Sequence, residues 1–201
     1  MELSSSDSIA ILSFSEQPEY PRLGRDVLAA LREHLRDVCS SGAFRGLVIA
    51  SNSHSFAVGA RLEEVWELRG VAAFEFARLG QSVCREIAHG TLPVVAAIRG
   101  FCLGGGLDLA LACQGRVAAY DSSLGSPGAT IGLVTGWGGT GRLPRRIGRS
   151  AALQMLITGD RIPATQALTI GLVDELVPSA DLLAAASQLA KKLAPPRRRI
   201  I

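Results

Sequence analysis

The sequence is short of the residues that build metal centres and disulfide frameworks. Of its 201 residues only three are histidine and four are cysteine, and no two cysteines form a C-x-x-C pair. No spaced cluster of ligand residues marks a metal site, so we expect no bound metal. We expect the cysteines to be reduced thiols of the core, as is usual in the cytosol; they are Cys39, Cys84, Cys102 and Cys113.

Long apolar runs and clustered charge are also missing. No hydrophobic stretch approaches the roughly 18 to 20 residues that a membrane-spanning helix needs, and residues 1–7 lack the features of a secretion signal. The net charge is only +3, and the basic residues are scattered except for Arg197 to Arg199, which we expect to be a flexible tail. We therefore expect a cytoplasmic protein that binds neither a membrane nor a nucleic acid.

The chain does have enough apolar residues for one substantial core. Hydrophobic residues make up 48% of the sequence and charged residues 19%, and a chain of 201 residues suits a single domain over residues 1–201. Short apolar runs at residues 8–14 and 46–50 predict strands, and the helical spacing of apolar residues at 25–38 predicts a helix. This alternation predicts an α/β fold with a largely parallel sheet.

The rest of the chain continues the alternation around one long glycine-rich segment. Further strands are predicted at residues 93–98, 115–120 and 173–177. Further helices are predicted at residues 61–68, 72–88, 140–147, 151–157, 163–171 and 180–193. Residues 122–139 are irregular and rich in glycine, and a loop of this length in a compact domain usually serves a function.

Two turns made of small residues are the strongest candidates for a reactive site. The turn at 103–107 holds three consecutive glycines between a strand and a helix, and the turn at 56–60 follows an earlier strand. Glycine allows positive φ and the close approach of a ligand, and N–H groups at a helix start favour a negative oxygen. Two such N–H groups can hold one carbonyl oxygen as it becomes negative, and losing one donor typically costs ~10²–10³ in rate.

In combination, these turns and two later stretches resemble the enoyl-CoA hydratase/isomerase (crotonase) superfamily. The stretches are Phe56-Ala-Val-Gly-Ala-Arg-Leu62, Pro93-Val-Val-Ala-Ala-Ile-Arg-Gly-Phe-Cys-Leu-Gly-Gly-Gly106, Gly136-Trp-Gly-Gly-Thr-Gly-Arg-Leu-Pro-Arg145 and Ile170-Gly-Leu-Val-Asp-Glu-Leu-Val177. The resemblance implies a crotonase-type right-handed spiral of ββα units that assembles as a homotrimer or hexamer. It also implies an acyl-CoA thioester as substrate, so that coenzyme A is part of the substrate and no separate cofactor is expected.

The resemblance assigns roles to residues of both turns. The two oxyanion donors are the N–H groups of Ala60 and Gly105. The stretch from Val58 to Leu62, which includes Ala60, borders the adenine of coenzyme A through its backbone carbonyls. Family hydratases place a first catalytic glutamate on the helix after the glycines, and that position is Asp108 here. An aspartate keeps the carboxylate but reaches about 1.5 Å less far.

Several positions depart from the family pattern. The second catalytic glutamate is replaced by Gly128, which cannot transfer a proton. Arg61 stands where many members have aspartate, and it either approaches a phosphate of coenzyme A or is solvated. The C-terminal helical region is shortened, so the chain is either a fragment or has a more open pocket and a different assembly. His54, in the loop before the first turn, is a weaker candidate for ligand contact.

Three functions remain open at the level of the sequence. The first is hydration of a 2-enoyl-CoA with Ala60, Gly105 and Asp108, at a rate reduced by the missing second acid, whose contribution is typically ~10²–10⁴. The second is decarboxylation of a malonyl-type thioester, which needs an enolate but little base. The third is a catalytically weak acyl-CoA-binding or scaffold protein.

Overall fold

The computed structural model describes residues 1–15 and 20–193. The strands of these residues are β1 (Glu2–Ser6), β2 (Ile9–Phe14), β3 (Gly46–Ser51), β4 (Val94–Ile98), β5 (Phe101–Leu103), β6 (Gly115–Ala119), β7 (Ser123–Gly125), β8 (Arg161–Pro163) and β9 (Glu175–Val177). The helices are α1 (Arg25–Ser40), α2 (Leu62–Glu67), α3 (Gly70–His89), α4 (Gly105–Ala112), α5 (Gly139–Ile147), α6 (Arg149–Thr158), α7 (Ala164–Thr169) and α8 (Leu182–Lys192). The predicted basic tail, Arg197 to Arg199, lies outside the described residues.

The strands form two sheets. The larger has the order β1-β2-β3-β4-β6-β9 and is parallel except for the β1–β2 pair, and the smaller has the order β5-β7-β8. The chain passes from the larger sheet to the smaller one between β4 and β5, and again between β6 and β7. Gly100 makes the first passage with φ +52°, and a Cβ there would lie 2.1 Å from the carbonyl oxygen of His54. Only glycine fits this close approach.

The larger sheet is covered on both faces. Alternate strand residues point to opposite faces, so Leu12 and Ile49 join the apolar cluster under α1 and α3, whereas Ile11 and Val48 join the cluster under α8. Strands buried on both faces need apolar residues throughout, which explains the short continuous runs in the sequence. Gly46 lets α8 approach closely, since a Cβ there would lie 3.2 Å from that of a helix residue, Ala190.

A buried arginine fixes the far end of α4, the helix that begins at the glycine turn. Arg116 is only 3% exposed, and its guanidinium donates to the carbonyl oxygens of Ala110, Cys113 and Leu172. It also forms an ion pair with Asp174 at 3.1 Å. The carbonyl groups at a helix C-terminus need such partners. Arg116 therefore holds α4, and with it the turn at the other end of the helix.

The α/β architecture is confirmed, and the differences concern short elements. Strand β1 was not predicted because Leu3 is its one apolar residue and all five residues are exposed, so no apolar pattern marks it. The glycine turn follows β5 and not, as expected, the strand at 93–98. The segment at 122–139 contains β7 and a 3₁₀ turn at Pro127–Ile131, so it is less irregular than predicted. The helix predicted at 163–171 is limited to Ala164–Thr169 because β8 precedes it.

Candidate active site

The two predicted turns lie side by side and are joined by backbone hydrogen bonds. The N–H of Ala57 donates to the carbonyl of Phe101 at 3.2 Å, and the N–H of Leu103 donates to the carbonyl of Ala57 at 2.9 Å. A Cβ on Gly106 would lie 2.3 Å from the carbonyl oxygen of Ala57. Two glycines of the turns, Gly59 and Gly104, have φ values of +101° and +52°. The glycines are therefore required by the contact between the turns.

This contact brings together the N–H groups of the two predicted oxyanion donors. A Cβ on Gly59 would lie 3.5 Å from the nitrogen of Gly105, the first residue of α4. Within residues 1–15 and 20–193, the N–H groups of Ala60 and Gly105 have no hydrogen-bond acceptor in the protein. Free N–H groups at a helix N-terminus favour an anionic oxygen. The two turns thus have the composition of an oxyanion hole.

The two turns form one wall of a cavity of about 390 Å³. The residues predicted to supply the oxyanion donors, the first acid and the ends of the adenine-binding stretch line it; these are Val58, Ala60, Leu62, Gly105 and Asp108. The opposite walls are mainly apolar and come from α2, α3 and the segment between β7 and α5; they include Val65, Phe76, Ile131, Leu133, Val134 and Trp137. A mostly apolar cavity with a few polar groups is the usual form of a small-molecule site.

Asp108 lies at the cavity but is held by the segment that precedes α5. It is 2% exposed, and its Oδ2 accepts hydrogen bonds from the hydroxyl of Thr135 and, at 3.0 Å, from the N–H of Trp137. A Cβ on Gly139 would lie 2.0 Å from Oδ1, so the other oxygen is close to the start of α5. Burial raises the pKa of Asp108 above its usual value, although the hydrogen bonds from Thr135 and Trp137 oppose the rise.

Trp137 connects this segment to the glycine turn at residues 103–107. Its indole is 6% exposed and meets the ring of Phe76 edge-on, with centroids 5.7 Å apart. A Cβ on Gly80 of α3 would lie 2.3 Å from the indole, and a Cβ on Gly105 would lie 2.4 Å from it. The indole therefore fills a gap that two glycines leave, and it serves as an anchor in the core.

The position of the missing second acid is closed by the backbone. The N–H of Leu133 donates to the carbonyl of Gly128 at 2.9 Å, and a Cβ on Gly128 would lie 2.8 Å from the carbonyl oxygen of Leu133. A side chain at residue 128 would thus meet backbone and not open space. Asp108 is the one carboxylate among the described residues that line the cavity.

Two other candidates from the sequence lie outside the cavity lining. His54 is exposed, and only its backbone carbonyl meets the β4–β5 turn, near Gly100. Arg61 pairs with Asp26 at 3.2 Å, and both side chains are well exposed. The structure gives Arg61 an acidic partner within the protein and does not bring His54 to the two turns.

The cysteines of the core are poor nucleophiles. Cys84, Cys102 and Cys113 are buried free thiols, whereas Cys39 is half-buried. Burial raises the pKa of Cys84 and of Cys113 to about 12, so both thiols are neutral at physiological pH. Over the described ranges there is no group of three or more metal-binding side chains. No helix in those ranges is long and apolar enough to cross a membrane.

Sequence reasoning missed Thr135, the polar residue of the cavity whose hydroxyl donates to Asp108. It precedes Trp137 by two residues in the glycine-rich segment and lies 27 residues beyond its partner Asp108. A threonine in a loop has no periodicity that signals a role. The available signal was its place inside a long irregular segment, which favours function over connection.

Comparison with known proteins gives a consistent result. The family model for enoyl-CoA hydratase/isomerase matches residues 5–200 of this chain. The chain is 30% identical to an enoyl-CoA hydratase from Bacillus anthracis, with a TM-score of 0.89 over 95% of this chain and 75% of the other. It is 30% identical to DspI from Pseudomonas aeruginosa, with a TM-score of 0.89 over 95% and 73%. An enoyl-CoA hydratase from Thermoplasma volcanium is 27% identical, with a TM-score of 0.89 over 96% and 77%.

Proposed function

The chain belongs to the enoyl-CoA hydratase/isomerase family, and from that premise we propose that it hydrates a 2-enoyl-CoA. The observation that carries the proposal is the pair of free N–H groups, at Ala60 and Gly105, on the wall of a largely apolar cavity. When water adds to C3 of the enoyl group, negative charge develops on the thioester oxygen. Two N–H donors held in place before the reaction stabilise that charge in the transition state.

Asp108 is the proton-transfer group in this proposal. It is the one carboxylate among the described lining residues, and a single carboxylate can take a proton from the attacking water and return it to C2. Both transfers then occur on one face of the double bond. Because a second acid is absent at Gly128, we expect slower hydration than in a relative with two acids.

The same proposal includes the remaining expectations about ligand and assembly. Coenzyme A is bound as part of the substrate, with its adenine beside the backbone of the stretch from Val58 to Leu62, of which Val58, Ala60 and Leu62 line the cavity. The protein acts in the cytoplasm as a homotrimer or a pair of trimers. These points rest on the family resemblance, and the cavity lining is consistent with the first of them.

Hydration of crotonyl-CoA, followed by the loss of its conjugated absorbance, tests the proposal. We expect measurable turnover by the full chain and a loss of ~10²–10⁴ in Asp108→Asn, because an amide cannot accept the proton. Asp121→Asn is the matched control, since Asp121 is exposed and, within the described ranges, its one hydrogen bond is accepted from Ser179. No turnover above background, with intact binding of a CoA thioester measured by calorimetry, would contradict hydration.

Decarboxylation of a malonyl-type thioester is the second candidate. It is favoured by the contrast between intact oxyanion donors and a carboxylate, Asp108, whose oxygens are engaged by Thr135, Trp137 and the start of α5. Loss of carbon dioxide leaves the enolate directly, so no base is needed to form it. Turnover of malonyl-CoA that is unchanged in Asp108→Asn would favour this reaction. Failure to bind any CoA thioester would leave only a scaffold role.

A further inference from the structure

We propose that the hydroxyl of Thr135 is a catalytic group that carries the proton between the substrate and Asp108. The inference rests on the proposed function, because it assumes that an acyl-CoA thioester occupies the cavity and loses or gains a proton at C2. The two side chains act as a pair, in which Thr135 meets the reacting atoms and Asp108 holds the proton. The pair takes the place of the two-carboxylate arrangement that Gly128 interrupts.

The carboxylate of Asp108 has few directions left in which to meet a substrate. Its Oδ2 accepts two hydrogen bonds, from the Thr135 hydroxyl and the Trp137 N–H, and its Oδ1 is close to the backbone at Gly139. The side chain is also almost fully buried, at 2% exposure. Asp108 lines the cavity, but these groups restrict how a substrate can reach its carboxylate, so that a proton can pass through one of them instead.

Thr135 is the one of these groups that can transmit a proton. A hydroxyl has one hydrogen to donate and two lone pairs that accept, so a Thr135 hydroxyl that donates to Asp108 still accepts from a water molecule. The backbone N–H of Trp137 can donate but has no lone pair to accept with. Thr135 is half-buried and lines the cavity, so it is in contact both with Asp108 and with the space for the substrate.

The other hydroxyls of the cavity are in different positions. Thr130 donates to the carbonyl of Pro127 at 2.7 Å, and among the described residues no hydrogen bond links it to Asp108. Ser126 is buried at the end of β7, and it too has no hydrogen bond to Asp108 in the part of the chain that the structure describes. Thr135 is thus the hydroxyl that the geometry connects to the acid.

The proton transfers balance without a further reactant. As the water oxygen bonds to C3, one water proton moves to the Oγ1 of Thr135 while the hydroxyl proton of Thr135 moves to Oδ2 of Asp108. The electron pair of the double bond becomes the enolate, whose oxygen the two backbone N–H groups hold. The proton then returns from Asp108 through Thr135 to C2. One O–H bond of water and the C2–C3 π bond are broken, and one C–O and one C–H bond are formed.

The segment around Thr135 is held by contacts other than its hydroxyl, so a variant without the hydroxyl should keep the loop in place. The side chain of Gln81 donates to the carbonyl of Gly136 at 2.9 Å, and the guanidinium of Arg142 donates to the carbonyl of Trp137 at 2.9 Å. Thr135→Val removes the hydroxyl at nearly constant volume, and Thr135→Ser keeps it. Thr169→Val is the matched control, because Thr169 is exposed on α7 and bonds only to the carbonyl of Thr165.

Two reactions of the full chain separate this inference from the proposed function. The first is hydration of crotonyl-CoA. The second is exchange of the C2 hydrogen of butyryl-CoA with solvent deuterium, which needs proton transfer but no addition of water. In both we expect Thr135→Val to lower the rate ~10²-fold, as the loss of an acid–base group does, while Thr135→Ser and Thr169→Val stay within about threefold of the unmodified chain.

Other measurements distinguish the relay from a merely structural role of Thr135, and the results that follow are those that the relay predicts. We expect the dissociation constant for butyryl-CoA and the emission of Trp137 to be unchanged in Thr135→Val, with the emission measured in a Trp66→Phe background because Trp66 is 55% exposed. The acid limb of the pH–rate profile should move to higher pH, since the Thr135 hydrogen bond lowers the pKa of Asp108 and its loss lets that pKa rise.

Each result decides between the two claims. Hydration by the unmodified chain, together with unchanged hydration and exchange in Thr135→Val, would overturn the relay and leave the hydratase proposal standing. Exchange that depends on Thr135 without any hydration would support the relay and overturn the hydratase proposal. If neither reaction occurs, or if Thr135→Ser is as slow as Thr135→Val, the relay is wrong.

Discussion

The groups that we propose to act on the substrate are of two kinds: the backbone N–H groups of Ala60 and Gly105, here called the backbone wall, and the side chains of Asp108 and Thr135, here called the acid wall. The first wall is set by two turns whose glycines allow no other packing. The acid wall depends on where the segment between β7 and α5 passes α4. A backbone donor is present whatever residue except proline occupies its position, but a side-chain acid disappears with one substitution.

This difference explains which half of the family pattern the chain keeps. By the resemblance described above, the glycine turn at Gly105 keeps the family pattern, whereas the position of the first acid holds the shorter Asp108 and that of the second acid holds Gly128. Polarisation of a thioester is the shared requirement of both reactions proposed above. The acid wall determines whether hydration or decarboxylation occurs. Substitutions on the two walls should therefore differ in their effects on rate and on stability.

Of the substitutions not yet discussed, Gly59→Ala on the backbone wall has the largest expected effect. Gly59 has a φ of +101°, which is strained for alanine. The methyl group of the alanine would lie 3.5 Å from the nitrogen of Gly105, in the space where we expect the thioester oxygen to bind. We expect a loss of ~10²–10³ in crotonyl-CoA hydration, comparable to the removal of one oxyanion donor. Steady-state rates of the purified variant measure the effect on catalysis, and its thermal midpoint measures the effect on stability.

The control for this substitution is Gly141→Ala in α5. A Cβ there meets no atom within 4 Å, and glycine inside a helix is less stable than alanine by roughly 0.5–1 kcal/mol. The control should therefore raise the thermal midpoint slightly and leave the rate unchanged. A Gly59→Ala variant that folds normally and keeps its full rate would show that the oxygen does not bind between the two turns.

A smaller effect, and no gain of activity, is expected when the missing acid is put back as Gly128→Glu. The new Cβ would lie 2.8 Å from the carbonyl oxygen of Leu133, so the segment has to shift before the carboxylate can face the cavity. We expect a loss of roughly 1–3 kcal/mol in unfolding free energy, the usual range for overpacking, with no rise in the hydration rate. Denaturant unfolding and crotonyl-CoA assays measure both quantities.

Gly128→Ala separates the two causes, because it adds the Cβ without the carboxylate. Equal destabilisation of the two variants would assign the loss of stability to the contact with Leu133. A clear rise in the rate for Gly128→Glu alone would contradict the prediction. It would show that the acid wall differs from that of a two-acid relative by a single side chain and not by the course of the backbone.

The smallest effect is expected from Arg61→Ala, at the end of the first turn. Arg61 is paired with Asp26, and exposed pairs of this kind contribute about 0.2–1 kcal/mol. We expect the dissociation constant for a CoA thioester to change by less than about fivefold, since tenfold corresponds to about 1.4 kcal/mol. Calorimetry at two salt concentrations measures it. A larger loss that high salt abolishes would instead indicate that Arg61 contacts a phosphate of coenzyme A.

The backbone wall could be predicted from sequence because its requirements are local. Three adjacent glycines before the apolar residues of α4 predict a tight turn at the start of a helix, and the pairing of the turns at Ala60 and Gly105 followed from the family resemblance. Asp108 was also identified, as an acid in the first turn of that helix. Its hydrogen bonds were not, because they depend on how residues 135–137 cross α4.

Elements without an apolar pattern were equally hard to predict. Strand β1 is exposed and, apart from Leu3, polar, and only its pairing with β2 makes it a strand. Strands β5, β7 and β8 have three residues each, too few for a period to be recognised. The smaller sheet that positions the glycine turn therefore came from the structure, whereas the larger sheet was foreseen in outline.

The indole of Trp137 has a consequence for anyone who wishes to redesign this protein. It occupies the gap beside Gly80 and Gly105, so residues 126–139 cannot be exchanged for the corresponding segment of another protein as an independent cassette. A graft that brings in a second acid but a small residue at position 137 would leave an empty cavity behind the glycine turn at residues 103–107. The residue at position 137 and the residues at positions 80 and 105 would have to be chosen together, because their volumes fill the same space.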